Sequence, residues 1–360
     1  MKTKRTSRLI VALLMMVLAF TACKKEEPTP PPSRAKTVYV AGEVYVKTGE
    51  WQAEPRATLW INGVAQALEK DLRSRATRVF VSGDDVYVVG TIDNRAVVWK
   101  NGERFQILTD GSFPAYAHSL FVSDNDVYVA GEIGGNSPHH GAYLWKNGDA
   151  KKLTDPGNYG GASAVYVSGS DVYVVGNVLN AGIMLWINGF PYNIIESESA
   201  YTTATSLYGS GEHLYVVGSF NSRIGAYIWK IDAKNGKVIE SQSLFKFSLF
   251  YANSVFVTDN DIYVASNCTM EDNGSSYSAA YLWKNKKAEP LANGQVERLS
   301  EDSKSAKANS VYVSGSDVYA VGRVSFREKP GLFAAIWVNG ELQELTDGTT
   351  QAEAYSVFVK

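Results

Sequence analysis

Apolar and β-branched residues crowd into short runs separated by turn residues, and the runs recur along the chain as a unit. The clearest copy reads ATRVFVSGDDVYVVG from Ala76, AVVWKNG from Ala96 and RFQILTDG from Arg104. The first piece holds two strands joined at Ser82-Gly83-Asp84-Asp85, which is the composition of a hairpin turn. Asn101-Gly102 makes the next turn, since both residues tolerate the positive φ of a type I′ hairpin, and it recurs at Asn62-Gly63, Asn147-Gly148, Asn188-Gly189 and Asn339-Gly340. Four antiparallel strands per unit follow, named a to d.

Similar units begin at Ala76, Ala117, Ala162, Ala204, Ala252, Ala308 and Ala354, at intervals of 41, 45, 42, 48, 56 and 46 residues. Four strands in forty-odd residues, apolar on both faces, need a neighbour on either side, as in a β-propeller blade. Trp60, Trp99, Trp145, Trp186, Trp229, Trp283 and Trp337 mark strand c, and Tyr39, Tyr87, Tyr128, Tyr173, Tyr215, Tyr263 and Tyr319 mark strand b. The count predicts an all-β, seven-bladed β-propeller over residues 37–360. The repeats start at strand b (Thr37 to Gly42) and stop after a lone strand a (Tyr355 to Val359), so the two ends should complete one composite blade and remove two exposed edges.

The first 36 residues belong to another pattern. Lys2, Lys4, Arg5 and Arg8 precede an apolar run from Leu9 to Ala22, which at 1.5 Å per residue reaches about 21 Å and falls short of a bilayer core of about 30 Å. A signal peptide over residues 1–22 is expected. Phe20-Thr21-Ala22-Cys23 resembles the lipobox of bacterial lipoproteins, with Phe20 in place of the usual branched aliphatic residue. The resemblance implies lipidation at Cys23 and attachment to a membrane that the chain does not cross. Ordinary secretion with cleavage after Ala22 is the alternative.

Residues 23–36 follow as a lipidated cysteine and a proline-rich spacer of roughly 35–40 Å. Lys24-Lys25-Glu26-Glu27 is similar to the export signal of Bacteroidetes surface lipoproteins, which implies an outer-membrane lipoprotein facing the outside of the cell, with a periplasm-facing one as the alternative. The repeats look like those of seven-bladed propeller lipoproteins, and Trp-x-Asn-Gly is weakly similar to extracellular HAF-type repeats. Asp232 to Lys237 is similar to a quinoprotein propeller hairpin but lacks its tryptophan motif, and reads as a longer turn.

Charge and cysteine content narrow the function. Removing the four basic residues of the leader takes 35 Lys and Arg to 31 against 37 Asp and Glu, a net charge of −6, which does not suit a nucleic-acid partner. With Cys23 lipidated, Cys268 alone remains, so no intramolecular disulfide can form.

Function on such a ring is expected on the face of the b–c and d–a loops, of which Glu132–Gly141, Ser241–Tyr251, Asn267–Ser278, Leu299–Lys307 and Arg323–Leu332 are long. Thr77, His118, Ser163, Thr205, Asn253, Asn309 and Tyr355, near the start of strand a, should ring the central mouth. Phe113, Tyr116, Tyr159, Tyr201, Phe250 and Tyr251 interleave with them. Hydroxyls and amides among aromatic faces suit a glycan or a peptide, and the candidate binding set is Thr77, Tyr116, His118, Ser163, Thr205, Asn253, Asn309 and Tyr355. Alternatively these side chains only seal the channel with ordered water.

Other chemistries leave weaker traces. His118, His139 and His140 share one repeat and are a conceivable zinc set. Asp124-Asn125-Asp126 and Asp259-Asn260-Asp261 fall in tight a–b turns, whereas Glu271-Asp272-Asn273-Gly274 is the better calcium candidate; no cofactor is otherwise implied. Glu132, Glu198, Asp272, Glu301 and Asp302 are acidic residues on the loop face without a glycosidase spacing, and no nucleophile elbow, phosphate loop or Asp-box is present. The reading is a monomeric cell-surface binding module for a glycan, peptide or protein partner. The alternative is a carbohydrate-active lyase or hydrolase with its site at the same mouth.

Overall fold

The computed structural model describes residues 36–197, 202–220, 225–245, 250–272, 275–287, 295–299 and 305–360. The leader and Cys23 lie outside them, as do Glu198, Tyr201, Asn273, Gly274, Glu301 and Asp302. Twenty-eight strands form seven four-stranded antiparallel sheets, and in six of them a, b, c and d follow in chain order. Blade 2 spans residues 74–107, blade 3 115–152, blade 4 160–196, blade 5 203–243, blade 6 250–298 and blade 7 305–344. Blade 1 is composite: Ala352–Val359 is its strand a and pairs with Val38–Lys47, followed by Ala53–Ile61 and Val64–Ala67. Among the described residues no helix is long and apolar enough to cross a membrane.

Each strand-c tryptophan inserts against the preceding blade. Trp99 of blade 2 packs with Ala41, Ala57 and Leu59 of blade 1, and Trp60 packs with Tyr319, Val321 and Ile336 of blade 7. All seven are at most 2% exposed. Burying a side chain of this size contributes roughly 4–6 kcal/mol, so each inter-blade seam is strongly stabilised by its tryptophan.

The inner strands meet around a closed aromatic belt of Phe80, Phe121, Tyr166, Tyr208, Phe256, Tyr312 and Phe358, one per blade. Neighbouring ring centroids lie 4.6–5.6 Å apart all the way round. Tyr166, Tyr208 and Tyr312 have phenols pushed up by burial, Tyr208 to about 12.

The turn face is held by a repeated cassette. Asn101 adopts φ +52° at the head of its Asn-Gly turn, accepts the Val86 N–H on Oδ1 and donates from Nδ2 to Asp85, while Lys100 bonds Asp85 and lies over the Tyr87 ring. Blade 3 repeats this with Asn147, Asp126, Lys146 and Tyr128. Blade 7 has Val338 where the lysine should be, and Lys36 supplies the ammonium to Asp317 instead, at 2.7 Å.

One expected loop is absent. Residues 267–272 and 275–278 continue the b–c hairpin of blade 6, with Thr269 opposite Ser278 and Met270 opposite Tyr277, because β-branched and aromatic residues extend the ladder. Of the calcium candidate Glu271-Asp272-Asn273-Gly274, the first two residues are strand and the last two lie outside the described residues.

Candidate functional site

Every one of the seven residues expected around the mouth occupies the same backbone position, a β-bulge in strand a. The register slips at Thr77, His118, Ser163, Thr205, Asn253, Asn309 and Tyr355. Opposite the bulge, strand b carries glycine in six blades; a Cβ on Gly90 would stand 1.9 Å from the Arg75 carbonyl oxygen, and one on Gly322 1.8 Å from that of Lys307. In these six blades the close approach of strand a leaves no room for a Cβ at this position of strand b. Ser266 replaces this glycine in blade 6, fully buried.

Four of the seven side chains latch one blade to the next. Thr77 Oγ1 donates to the Ala117 carbonyl at 2.6 Å and Thr205 Oγ1 to that of Ala252 at 2.6 Å. Asn253 Nδ2 donates to the Ala308 carbonyl at 2.7 Å, and Asn309 Nδ2 to the Ala354 carbonyl and to Glu353, both at 2.9 Å. Tyr355 is committed differently: its hydroxyl donates to Glu43 at 2.7 Å, and Glu43 is held by Arg75. Burial, with Glu353 and Glu43 beside it, pushes the Tyr355 phenol far up. Ser163 is half-buried, and His118 alone of the seven is exposed.

His118 stands beside an open cleft between blades 3 and 4. Its ring stacks on Tyr116 at 6.2 Å, and its Nε2 lies 3.9 Å from a Glu132 carboxylate oxygen. Glu132 lines a cavity of about 350 Å³ together with His140, Tyr159, Asn177, Thr202 and the backbone of Gly134, Gly141, Gly160 and Gly161. His140 stacks face to face on Tyr159 at 3.9 Å, its Nδ1 bonded to the Ser137 carbonyl at 2.6 Å and its Nε2 without a partner. With the Nδ1 proton donated to that carbonyl, Nε2 is left as an acceptor. The glycines have a steric reason. A Cβ on Gly161 would meet the Glu132 carboxylate at 2.2 Å, and one on Gly141, at φ +139°, would meet Thr154 Oγ1 at 2.1 Å.

Tyr116 also borders a second cavity, of about 290 Å³, formed by Pro55, Arg73, Ser74, Arg75, Thr91, Asp93 and Asn94. His118 links a residue of each cavity: it stacks on Tyr116, which borders the second, and lies 3.9 Å from Glu132, which lines the first, and the two cavities with this contact are together termed the loop-face groove. On the same face Glu43 is engaged by Arg75 at 2.7 Å and Glu353 by Arg323 at 3.0 Å.

The expected rim is corrected at one aromatic. Phe250 is 8% exposed and stacks on Phe245 at 3.8 Å beside Tyr281, so it is core, because successive strand residues alternate in direction and Tyr251 points outward. Tyr159 and Tyr251 are exposed as expected. The three histidines do not gather: among the described residues no group of three His, Cys, Asp or Glu is placed to hold a metal ion. Asp126 and Asp261 accept from Lys146 and Lys284 within the turns that position them.

Asn177, Thr202, Arg73 and Asn94 were not singled out from the sequence. Each stands at a strand end or in a short loop, and only the packing of adjacent blades brings them to the groove.

No protein-family model and no curated protein matches the chain. Solved structures align with it more loosely. An exo-1,5-α-L-arabinanase from a bovine ruminal metagenomic library is 13% identical over 67% of this chain and 100% of that one, with a TM-score of 0.38. A hydrazine synthase of Kuenenia stuttgartiensis is 14% identical over 74% and 78%, at 0.49. A puromycin-hydrolysing peptidase of Mycobacterium tuberculosis is 14% identical over 77% of this chain and about half of that one (53%), at 0.40. At these identities and scores the likeness transfers no ligand, reaction or partner.

Proposed function

We propose that this chain is a lipid-anchored binding module of the outer cell surface that takes a glycan along the loop-face groove. The observation that carries the reading is the pair of stacks, Tyr116 on His118 and His140 on Tyr159, both close to Glu132, which lies 3.9 Å from His118 and lines one cavity with His140 and Tyr159. Exposed aromatic faces pack on the apolar faces of sugar rings, while Glu132, Asn177, Thr202 and the glycine backbone offer hydrogen bonds to hydroxyls. The Cys23 lipid and the proline spacer would tether the domain to the membrane.

The test is a glycan array and a peptide array probed with the purified protein and with Tyr159→Ala and His118→Ala. Saturable glycan binding lost in both variants is expected; binding to peptides alone, or glycan binding indifferent to both substitutions, overturns the reading. Cys23→Ser should release the protein from the membrane fraction, and protease added to intact cells should degrade the parent.

A second reading has one observation in its favour. Glu132 and His118, 3.9 Å apart, are a conceivable acid and base for a carbohydrate lyase or hydrolase. Turnover of a bound glycan that vanishes in Glu132→Gln while binding persists would favour it over simple recognition.

A further inference from the structure

Side chains alternate along strand a, so the residue two places before each aromatic of the inner belt shares the face that the belt turns to the axis of the ring. Ser356, Ser119, Ala164, Ser206, Ser254 and Ser310 hold this place in blades 1 and 3 to 7. Blade 2 carries Arg78 there, two residues before Phe80. Four of the serines serve the next blade: Ser356, Ser119, Ser206 and Ser254 accept the N–H groups of Val79, Val165, Val255 and Val311. Arginine has no acceptor atom for that use, and its long side chain is directed into the middle of the ring instead.

Nothing in the protein neutralises it there. The one titratable group whose charge acts on Arg78 is the phenol of Tyr208, three blades round the ring, which places the guanidinium in the interior of the channel. Among the described residues Arg78 has no hydrogen bond and no ion pair, and its nitrogens are not closed to water. The hydroxyls of Tyr166, Tyr208 and Tyr312 are in the same condition, unpartnered and open to water, and the phenols of Tyr166 and Tyr312 both act on that of Tyr208. The carboxylates near the mouth are engaged elsewhere, Glu43 by Arg75 and Tyr355, Glu353 by Arg323 and Asn309. Burial pushes Arg78 down and the three phenols up; a guanidinium still keeps its charge at neutral pH, and the phenols keep their protons. The channel therefore holds one uncompensated positive charge beside three hydroxyl donors, a surplus that calls for an anionic acceptor.

We propose that the axial channel binds a small singly charged oxyanion, a carboxylate such as formate or acetate, between Arg78 and the Tyr208 hydroxyl, with Tyr166 and Tyr312 as further donors. The planar fork of a guanidinium matches the two oxygens of a carboxylate. One negative charge balances Arg78, whereas a sulfate brings a second that nothing in the channel offsets. The site lies on the axis of the ring and does not depend on what the loop-face groove holds.

The test is titration calorimetry of the purified protein with sodium formate, acetate, chloride and sulfate, in a chloride-free buffer and at matched ionic strength. Saturable binding of formate or acetate, tighter than that of chloride or sulfate, is expected. Arg78→Ser installs the residue of five other blades and Tyr208→Phe the belt residue of four, so the ring has a place for either side chain. Arg78→Ser should abolish binding, and Tyr208→Phe should weaken it about tenfold. Should Arg78→Ser fail to fold, Tyr208→Phe decides alone. Lys234→Met removes an exposed positive charge from the c–d turn of blade 5 and should leave binding intact. No saturable binding of formate or acetate, chloride or sulfate bound as tightly as either, binding unchanged in Arg78→Ser or in Tyr208→Phe, or an equal loss in Lys234→Met overturns the proposal.

Discussion

The ring of Phe358 lies 5.2 Å from that of Phe80, joining the last strand of the chain to the first complete repeat. The same seam is stitched by Ser356, whose Oγ accepts the Val79 N–H at 3.2 Å, and by Lys360, which reaches Asp84 at 2.9 Å. Closure therefore rests on the final eight residues. Deleting residues 354–360 removes Val357 and Val359, each 4% exposed, together with Phe358. At about 1.5–3 kcal/mol per buried side chain the loss is about 5 kcal/mol or more, and it also exposes the edge of Val38–Lys47. The truncated protein should melt far below the parent or fail to fold; an unchanged melting temperature in calorimetry would refute closure by these strands.

Gly90→Ala should be costly for a reason invisible in an ordinary strand. The new Cβ would meet the Arg75 carbonyl oxygen at 1.9 Å, and backbone cannot swing aside as a side-chain end does. A loss of about 1–3 kcal/mol in urea denaturation is expected, against almost none for Gly83→Asn, where nothing lies within 4 Å and asparagine tolerates positive φ. Equal effects at the two glycines would mean that the close approach of strand a is not what demands Gly90.

How far these features were legible depends on how local they are. The blade count, the Asn-Gly turns and the shared terminal blade follow from patterns within one repeat, and those patterns are what the sheets display. The Thr77 and Asn253 positions read from the sequence as ligand contacts or as a seal of ordered water, and not as latches, since whether a side chain points to a ligand or to the next blade depends on inter-blade geometry. Glu132 against Gly161 joins two repeats, and no spacing announces it. Asn267–Ser278 looked like a loop because its polar residues hide a ladder whose partners are each other. Arg78 in place of serine is visible in any alignment of the repeats, but its meaning requires knowing where that serine points.

Stability should respond to acid and to alkali through the same turns. Lysine hydrogen bonds hold the carboxyls of Asp85, Asp126 and Asp317 below their ordinary value of 3.8. A carboxyl depressed in the folded state contributes stability above its unfolded pKa and loses it as pH falls through the folded one. Lys36, Lys100 and Lys146 are raised above 10.5 by the same bonds, so their contribution is complete below 10.5 and lost as pH rises beyond it. The urea midpoint should be flat near neutrality and decline below about pH 4 and above about pH 10.5. A midpoint constant from pH 5 to pH 2.5 would show that these pairs contribute nothing.

Cys268 is 6% exposed, and burial pushes its thiol up against the opposing pull of Arg298. A thiol so placed is largely protonated and screened from reagents. In a Cys23→Ser protein, alkylation by iodoacetamide at pH 8 should be at least about 100-fold slower in buffer than in denaturing urea, tracking opening of the blade 5 and 6 core. Rapid labelling of the folded protein would place Cys268 at an accessible edge instead.

The bulge residues divide into latches and ligand contacts, and the two roles give opposite readouts. Thr77 and Thr205 each place a hydroxyl between two carbonyls, one on strand b of its own blade at 3.1 Å and one on the next blade at 2.6 Å. Replacing either by valine keeps the shape and removes both bonds, at a cost of about 1–2 kcal/mol in stability. Neither should alter binding to an immobilised glycan. His118 is exposed and bonds no neighbouring blade, so His118→Ala should leave the urea midpoint within about 0.5 kcal/mol of the parent while reducing glycan binding. If Thr77→Val abolishes binding without destabilising the ring, the mouth itself is the ligand site and the latch reading fails. If His118→Ala destabilises as much as Thr205→Val, His118 is a structural residue and the groove must be sought on its other side, at His140 and Tyr159.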